Sequence, residues 1–118
     1  MYKFYNNNAL GLFQNDCVIR AIATATGNTW DDTYEHLSNI ARLNGNMMDD
    51  KDFVIDYLDK RYKRLENIPI TVGEVSGTYP DNILLITMGG HITCSKYGIV
   101  LDSFDCRERV AEYCWIVK

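Results

Sequence analysis

The hydropathy pattern predicts an α+β fold, N-terminal helices packed on a small C-terminal antiparallel sheet. Three observations predict it. Up to about Gly77, apolar side chains recur at the three- and four-residue spacing of amphipathic helices. Beyond it, short apolar runs are separated by glycine-containing turns, which reads as strands. Those turns are short, and strands joined by short turns pair antiparallel. The chain's 118 residues suit one domain spanning 1–118.

The first helix starts near Asp16, where Asn15 or Asp16 is suited to cap the free amides of the opening turn. Val18, Ile19, Ile22, Ala23 and Ala25 make it mostly apolar, and Gly27 is a natural stop. A second helix starts at Thr29, with Asp32 three residues on in a variant of the capping box. Trp30, Tyr34, Leu37, Ile40 and Ala41 share one face of it, and Asn44-Gly45 ends it. A third begins around Asp49 or Asp50 and buries Phe53, Val54, Tyr57 and Leu58. Thr71 and Glu74 form another capping box, opening a short helical turn closed by Gly77. Strands are expected over 82–88, 91–95, 98–102 and 111–117, with Lys96-Tyr97 as a hairpin loop. Tyr2, Phe4 and Tyr5, ahead of the loop-forming Asn6-Asn7-Asn8, are suited to pair with the sheet edge.

Composition narrows the function classes. Apolar residues make up 47% and charged residues 24%, which excludes collagen-like and disordered classes. The formal charge of −4 disfavours nonspecific nucleic-acid binding, which needs many cations against phosphate. The one basic cluster, Lys60, Arg61, Lys63 and Arg64, reads as a solvated helix end. No stretch approaches the ~18 apolar residues of a membrane span, and residues 1–8 lack the apolar run of a signal peptide. A cytoplasmic protein with reduced thiols at Cys17, Cys94, Cys106 and Cys114 is therefore expected.

Chemistry concentrates in three residues. Cys17 falls in the first turn of a helix, where free amides and the helix dipole favour an anion and hence the thiolate. By itself a cysteine there is equally a small core residue. His91 follows Gly89-Gly90 and begins a strand. With Lys96-Tyr97 as the loop, His91 stands directly opposite Asp102, with Cβ atoms roughly 4.5–5.5 Å apart. A carboxylate there fixes the imidazole tautomer and favours the imidazolium. A thiol, an imidazole and an acid in that order form a nucleophile–base–orienter set for acyl transfer.

The segment Asn15-Asp16-Cys17-Val18-Ile19-Arg20-Ala21-Ile22 carries a family resemblance, continued by Gly90-His91-Ile92-Thr93, by Leu101-Asp102-Ser103-Phe104-Asp105 and by Tyr113-Cys114-Trp115. It resembles the papain-like cysteine peptidase superfamily, in particular small phage-encoded members related to bacteriocin-leader-cleaving peptidases. The resemblance implies a minimal papain-like fold, with Cys17 as nucleophile, His91 as general base and Asp102 as orienting acid. It also implies an oxyanion-hole side chain, usually Gln, six residues before the cysteine. Gly11 stands at that position, so Gln14 or Asn15 is the available substitute, with the Cys17 amide as second donor. The expected activity is cysteine-dependent hydrolysis of a peptide, isopeptide or carboxamide bond without a cofactor. The expected partner is a protein or peptide substrate, with no nucleic acid or membrane involved. The alternative is a non-catalytic phage protein that uses the same scaffold to block a host protein. A zinc site built on His91 and Cys94 is disfavoured, because residues three apart on a strand face opposite ways. Cys106 and Cys114 also miss the usual paired zinc spacings.

Overall fold

A computed structural model describes residues 1–118. The chain opens with strand β1 (Tyr2–Phe4), and then helices α1 (Cys17–Thr26), α2 (Trp30–Leu43) and α3 (Lys51–Arg61) follow. Next come the two-residue strand β2 (Lys63–Arg64) and helix α4 (Val72–Thr78). The chain finishes with β3 (Ile83–Met88), β4 (His91–Lys96), β5 (Ile99–Asp102) and β6 (Ala111–Ile116).

Local chemistry accounts for the helix boundaries. Gly27 ends α1 at φ 75°, a left-handed conformation that costs glycine little. The Thr29 hydroxyl accepts from the Asp32 amide at the start of α2, and the Asp50 carboxylate accepts from the Asp52 amide at the start of α3. At α4 the Thr71 hydroxyl accepts from the Glu74 amide at 3.2 Å and donates to the Glu74 carboxylate at 2.8 Å. Basic residues in the last turn of α3 and just beyond it are paired: Lys60 with Asp56, Arg64 with Asp59, and Arg61 over the Tyr57 ring.

The six strands form one sheet in the order β1-β5-β4-β3-β6-β2. The sequence expectation of a purely antiparallel C-terminal sheet needs two corrections. β1 runs parallel to β5, so the sheet is mixed, and β2 and α4 interleave with the other elements, so the helices are not all N-terminal. Two- and three-residue strands are too short to carry a period, but pairing with a formed sheet edge stabilises them.

Both faces of the sheet are covered, making three layers. Helices α1–α3 pack on one face through Ile19, Ile22, Leu37, Leu58 and the sheet residues Leu85, Ile92 and Trp115. The other face takes Val72 and Val75 of α4 against Leu84, Ile86, Met88 and Val100. β3 is buried along its whole length, which explains its apolar run Ile83–Ile86. Tyr34, placed on the core face by its spacing, is instead exposed and stacks on Trp30 with ring centroids 5.3 Å apart.

The β4–β5 hairpin corrects the expected register. Lys96 pairs with Ile99 and Cys94 with Leu101, so Tyr97 and Gly98 form the two-residue loop. Both have positive φ, 53° and 80°, the signature of the turn type that matches strand twist, and Gly98 supplies the second position without strain. Continuing the ladder sets Asp102 opposite Thr93, two residues from His91. The shift is even, so His91 and Asp102 keep the same face and meet diagonally.

Candidate active site

Helix α1 places Cys17 at its first residue, half-buried beside the sheet. α1 packs across β4, whose first residue is His91. Asp102 ends β5, held from the neighbouring strand by the Tyr5 amide and the Tyr2 hydroxyl, both donating to its carbonyl. The structure thus brings three of the four expected site residues into one cluster.

The geometry is that of an oriented imidazole. His91 Nε2 lies 2.7 Å from Asp102 Oδ2, leaving Nδ1 for the Cys17 sulfur. The Phe104 ring tilts over the imidazole at a centroid distance of 4.8 Å. Asp102 Oδ1 accepts from the Ser103 amide at 2.7 Å and from Arg20 Nη1 at 3.1 Å. With Asp102 only 2% exposed and every carboxylate oxygen engaged, its charge is stabilised without solvent.

The charges follow from these contacts. Burial raises the Cys17 thiol, but the His91 hydrogen bond, the Ile92 amide and the charges of His91 and Arg20 outweigh it, leaving the thiol below its ordinary value. Burial alone disfavours a charged His91. The hydrogen bonds and charges of Asp102 and Cys17 reverse this and raise it to about 9. Burial also opposes the Asp102 charge, yet His91, Thr93 and the Ser103 amide lower it to about 2. The three shifts run in one direction, each favouring the charged form: thiolate, imidazolium, carboxylate. The other cysteines differ. Burial pushes Cys94 and Cys114 to about 12 and Cys106 to about 11.

Cys17 and His91 open on a cleft of about 580 Å³, whose walls include Gln14, Asn15, Val54, Ile55, Met88 and Phe104. Gln14 is therefore at the cleft but outside the hydrogen-bonded cluster. The expected helix cap departs most from sequence reasoning. Asp16 is the N-cap residue of α1, yet its side chain accepts no amide of that helix. Its oxygens take Arg20 Nε at 2.7 Å, Trp30 Nε1 at 2.9 Å and Asn8 Nδ2 at 2.9 Å instead. The opening amides of α1 are left without a side-chain acceptor, beside the Cys17 sulfur.

Arg20, Asp16, Trp30 and Asn8 are the members that sequence reasoning missed. Asp16 and Arg20, four apart on a helix, carried a legible ion-pair signal. Their connection to Asp102 crosses 82 residues and did not. Ligand atoms of His91, Asp102 and Cys106 lie within 4.8 Å of one another. They fit a metal poorly: Cys106 is a buried, protonated thiol, and the Asp102 oxygens are already bonded to Arg20, Ser103 and His91.

Fold and site together define an α+β domain that carries a thiol, an imidazole and a carboxylate in hydrogen-bonded sequence at a cleft. Among known proteins the chain matches no family model, no curated protein and no solved structure. No helix is long and apolar enough to cross a membrane.

Proposed function

We propose that the chain is a cysteine-dependent hydrolase of a peptide, isopeptide or carboxamide bond, built on a minimal papain-like fold. One observation carries the reading. Of four thiols, the one whose pKa is lowered lines a cleft beside an imidazole that a buried carboxylate orients. A structural cysteine needs none of these features, whereas a nucleophile needs all of them.

The Cys17 thiolate attacks the carbonyl carbon, and the carbonyl electron pair moves to oxygen. The Cys17 amide at the head of α1 is one donor for that oxyanion, and Gln14 or Asn15 at the cleft wall supplies the other. His91 gives its proton to the leaving nitrogen, the C–N bond breaks, and a thioester remains. His91, now neutral, takes a proton from water, which attacks the thioester. The acid leaves and the thiolate–imidazolium pair is restored. Asp102 stays ionised throughout and holds the ring by Nε2.

The test is hydrolysis at neutral pH of a mixed library of linear and isopeptide-linked peptides, read by mass spectrometry for cleaved bonds and for Gln converted to Glu. Wild type is expected to yield one of these products and Cys17→Ala neither. Wild type yielding neither overturns the hydrolase reading in favour of a non-catalytic scaffold that blocks a host protein.

A further inference from the structure

Beyond the three reacting groups, the cluster contains a second buried acid and a cation that the mechanism does not use. Arg20 is 11% exposed and Asp16 5% exposed at the side chain. Arg20 donates through Nε to Asp16 Oδ1 at 2.7 Å and through Nη1 to Asp102 Oδ1 at 3.1 Å. Asp16 is fixed in turn by Trp30 and Asn8, both on its other oxygen. Asp102 divides its oxygens the same way, Oδ1 to Arg20 and the Ser103 amide, Oδ2 to His91. The two acids sit at opposite ends of one planar fork.

We propose that Arg20 is a positioning residue: anchored on Asp16, it fixes the rotation of the Asp102 carboxylate and thereby the direction in which His91 faces Cys17. The inference rests on the hydrolase reading and deepens it. An ammonium at the same place supplies charge and rotatable donors on one nitrogen, without the rigid planar fork that holds both carboxylates in one plane. The same anchoring explains why Asp16 abandons the cap of α1. It is committed to Arg20, and the freed amides stay at the reacting sulfur. The charged or titratable groups facing Asp102 are Arg20 from α1, His91 from β4, Tyr2 from β1 and Cys106 after β5.

The test is the pH profile of Cys17 alkylation by iodoacetamide, site-resolved by mass spectrometry, in wild type, Arg20→Lys, Arg20→Met and Asp16→Asn. Folding of each is checked by circular dichroism. Arg20→Lys keeps the charge and loses the fork. Its midpoint is expected to rise by about one pH unit, a roughly tenfold loss of rate below the midpoint. Arg20→Met is expected to rise at least as far. Asp16→Asn, which keeps an acceptor for the fork, is expected to rise less, and it decides the matter if the Arg20 variants do not fold. A counter-ion role alone predicts lower thermal stability with an unmoved Arg20→Lys midpoint. Among folded variants, unmoved midpoints in Arg20→Lys and Asp16→Asn overturn the assignment of Arg20 while leaving a reactive Cys17 in place. A wild-type Cys17 no more reactive than an ordinary thiol overturns the hydrolase reading, and this inference with it.

Discussion

His91→Ala isolates the electrostatic coupling at the centre of the site. In the folded wild type, burial pushes the Cys17 thiol up, and the His91 hydrogen bond and charge, with the Ile92 amide and Arg20, bring it down. Removing the ring leaves burial opposed only by the amide and the more distant guanidinium. The thiol then returns to or above the ordinary cysteine value of about 8.5, where roughly 3% is thiolate at pH 7. Alkylation rate follows the thiolate fraction, so His91→Ala is expected to slow Cys17 modification several-fold at pH 7. The remaining thiols provide an internal reference. At pKa values of about 11 to 12, roughly one part in 10⁴ to 10⁵ is thiolate at pH 7. The assay is limited iodoacetamide labelling of folded protein, digestion, and mass-spectrometric quantitation of each cysteine. One modified site per chain, at Cys17, is expected. Equal rates for wild type and His91→Ala, or comparable labelling of Cys94, Cys106 and Cys114 in the folded state, would refute the reasoning.

Three further outcomes are expected. Asp102 titrates at about 2 in the folded chain against 3.8 as its ordinary value. Its stabilising contribution is therefore complete above about pH 4 and is lost as pH falls towards 2, roughly 2 kcal/mol in all. Urea midpoints measured from pH 5 to pH 2 should show this loss in wild type, and a flatter acid limb in Asp102→Asn. Gln14→Ala, if Gln14 donates to the oxyanion, is expected to lower hydrolysis of a cleaved peptide by about 10²–10³-fold. Its Cys17 alkylation should be unchanged, since the thiolate does not need that donor. Gly98→Ala forces an L side chain to φ 80° in the β4–β5 turn with only ordinary contacts to Pro80, so strain is the whole effect. A loss of about 1–2 kcal/mol in thermal or urea unfolding is expected, and a neutral result would show that the turn relaxes to another type.

What was legible depended on the range of the interaction. Caps at Thr29, Asp50 and Thr71 lie within three residues of their partners, and the stop at Gly27 is set by its own φ, so each follows from short stretches of sequence. β3 is legible because a strand covered on both faces carries a continuous apolar run, here Ile83–Ile86. β1 and β2 lack that signal; each is held by the strand beside it, β5 or β6. The hairpin shows how an incorrect register still reached the right contact. The turn uses Tyr97-Gly98, because glycine best fills the second left-handed position, and the even shift preserved the face shared by His91 and Asp102.

The one local rule that failed at the site failed for a reason tied to chemistry. Asp at the N-cap of a helix ordinarily bonds the opening amides, a contact worth about 1 kcal/mol. Asp16 occupies that position and bonds Arg20, Trp30 and Asn8 instead. Two consequences follow from this one diversion. The guanidinium is locked between two buried acids, which fixes Asp102 against His91. On the hydrolase reading, the head of α1 keeps unbonded amides where negative charge would develop on the sulfur, and then on the carbonyl oxygen. On that reading a cap would engage the amide of Val18 or Ile19 and weaken the field at the sulfur, while leaving the Cys17 amide free. Departures from local consistency of this kind are expected where function sets the geometry. Asp16→Ser removes both consequences at once. Serine removes the anchor for Arg20 and offers the opening amides a hydroxyl acceptor, so Cys17 alkylation is expected to slow. If alkylation in Asp16→Ser matches wild type across pH 5 to 8, neither the free amides nor the anchored fork contributes to the thiolate.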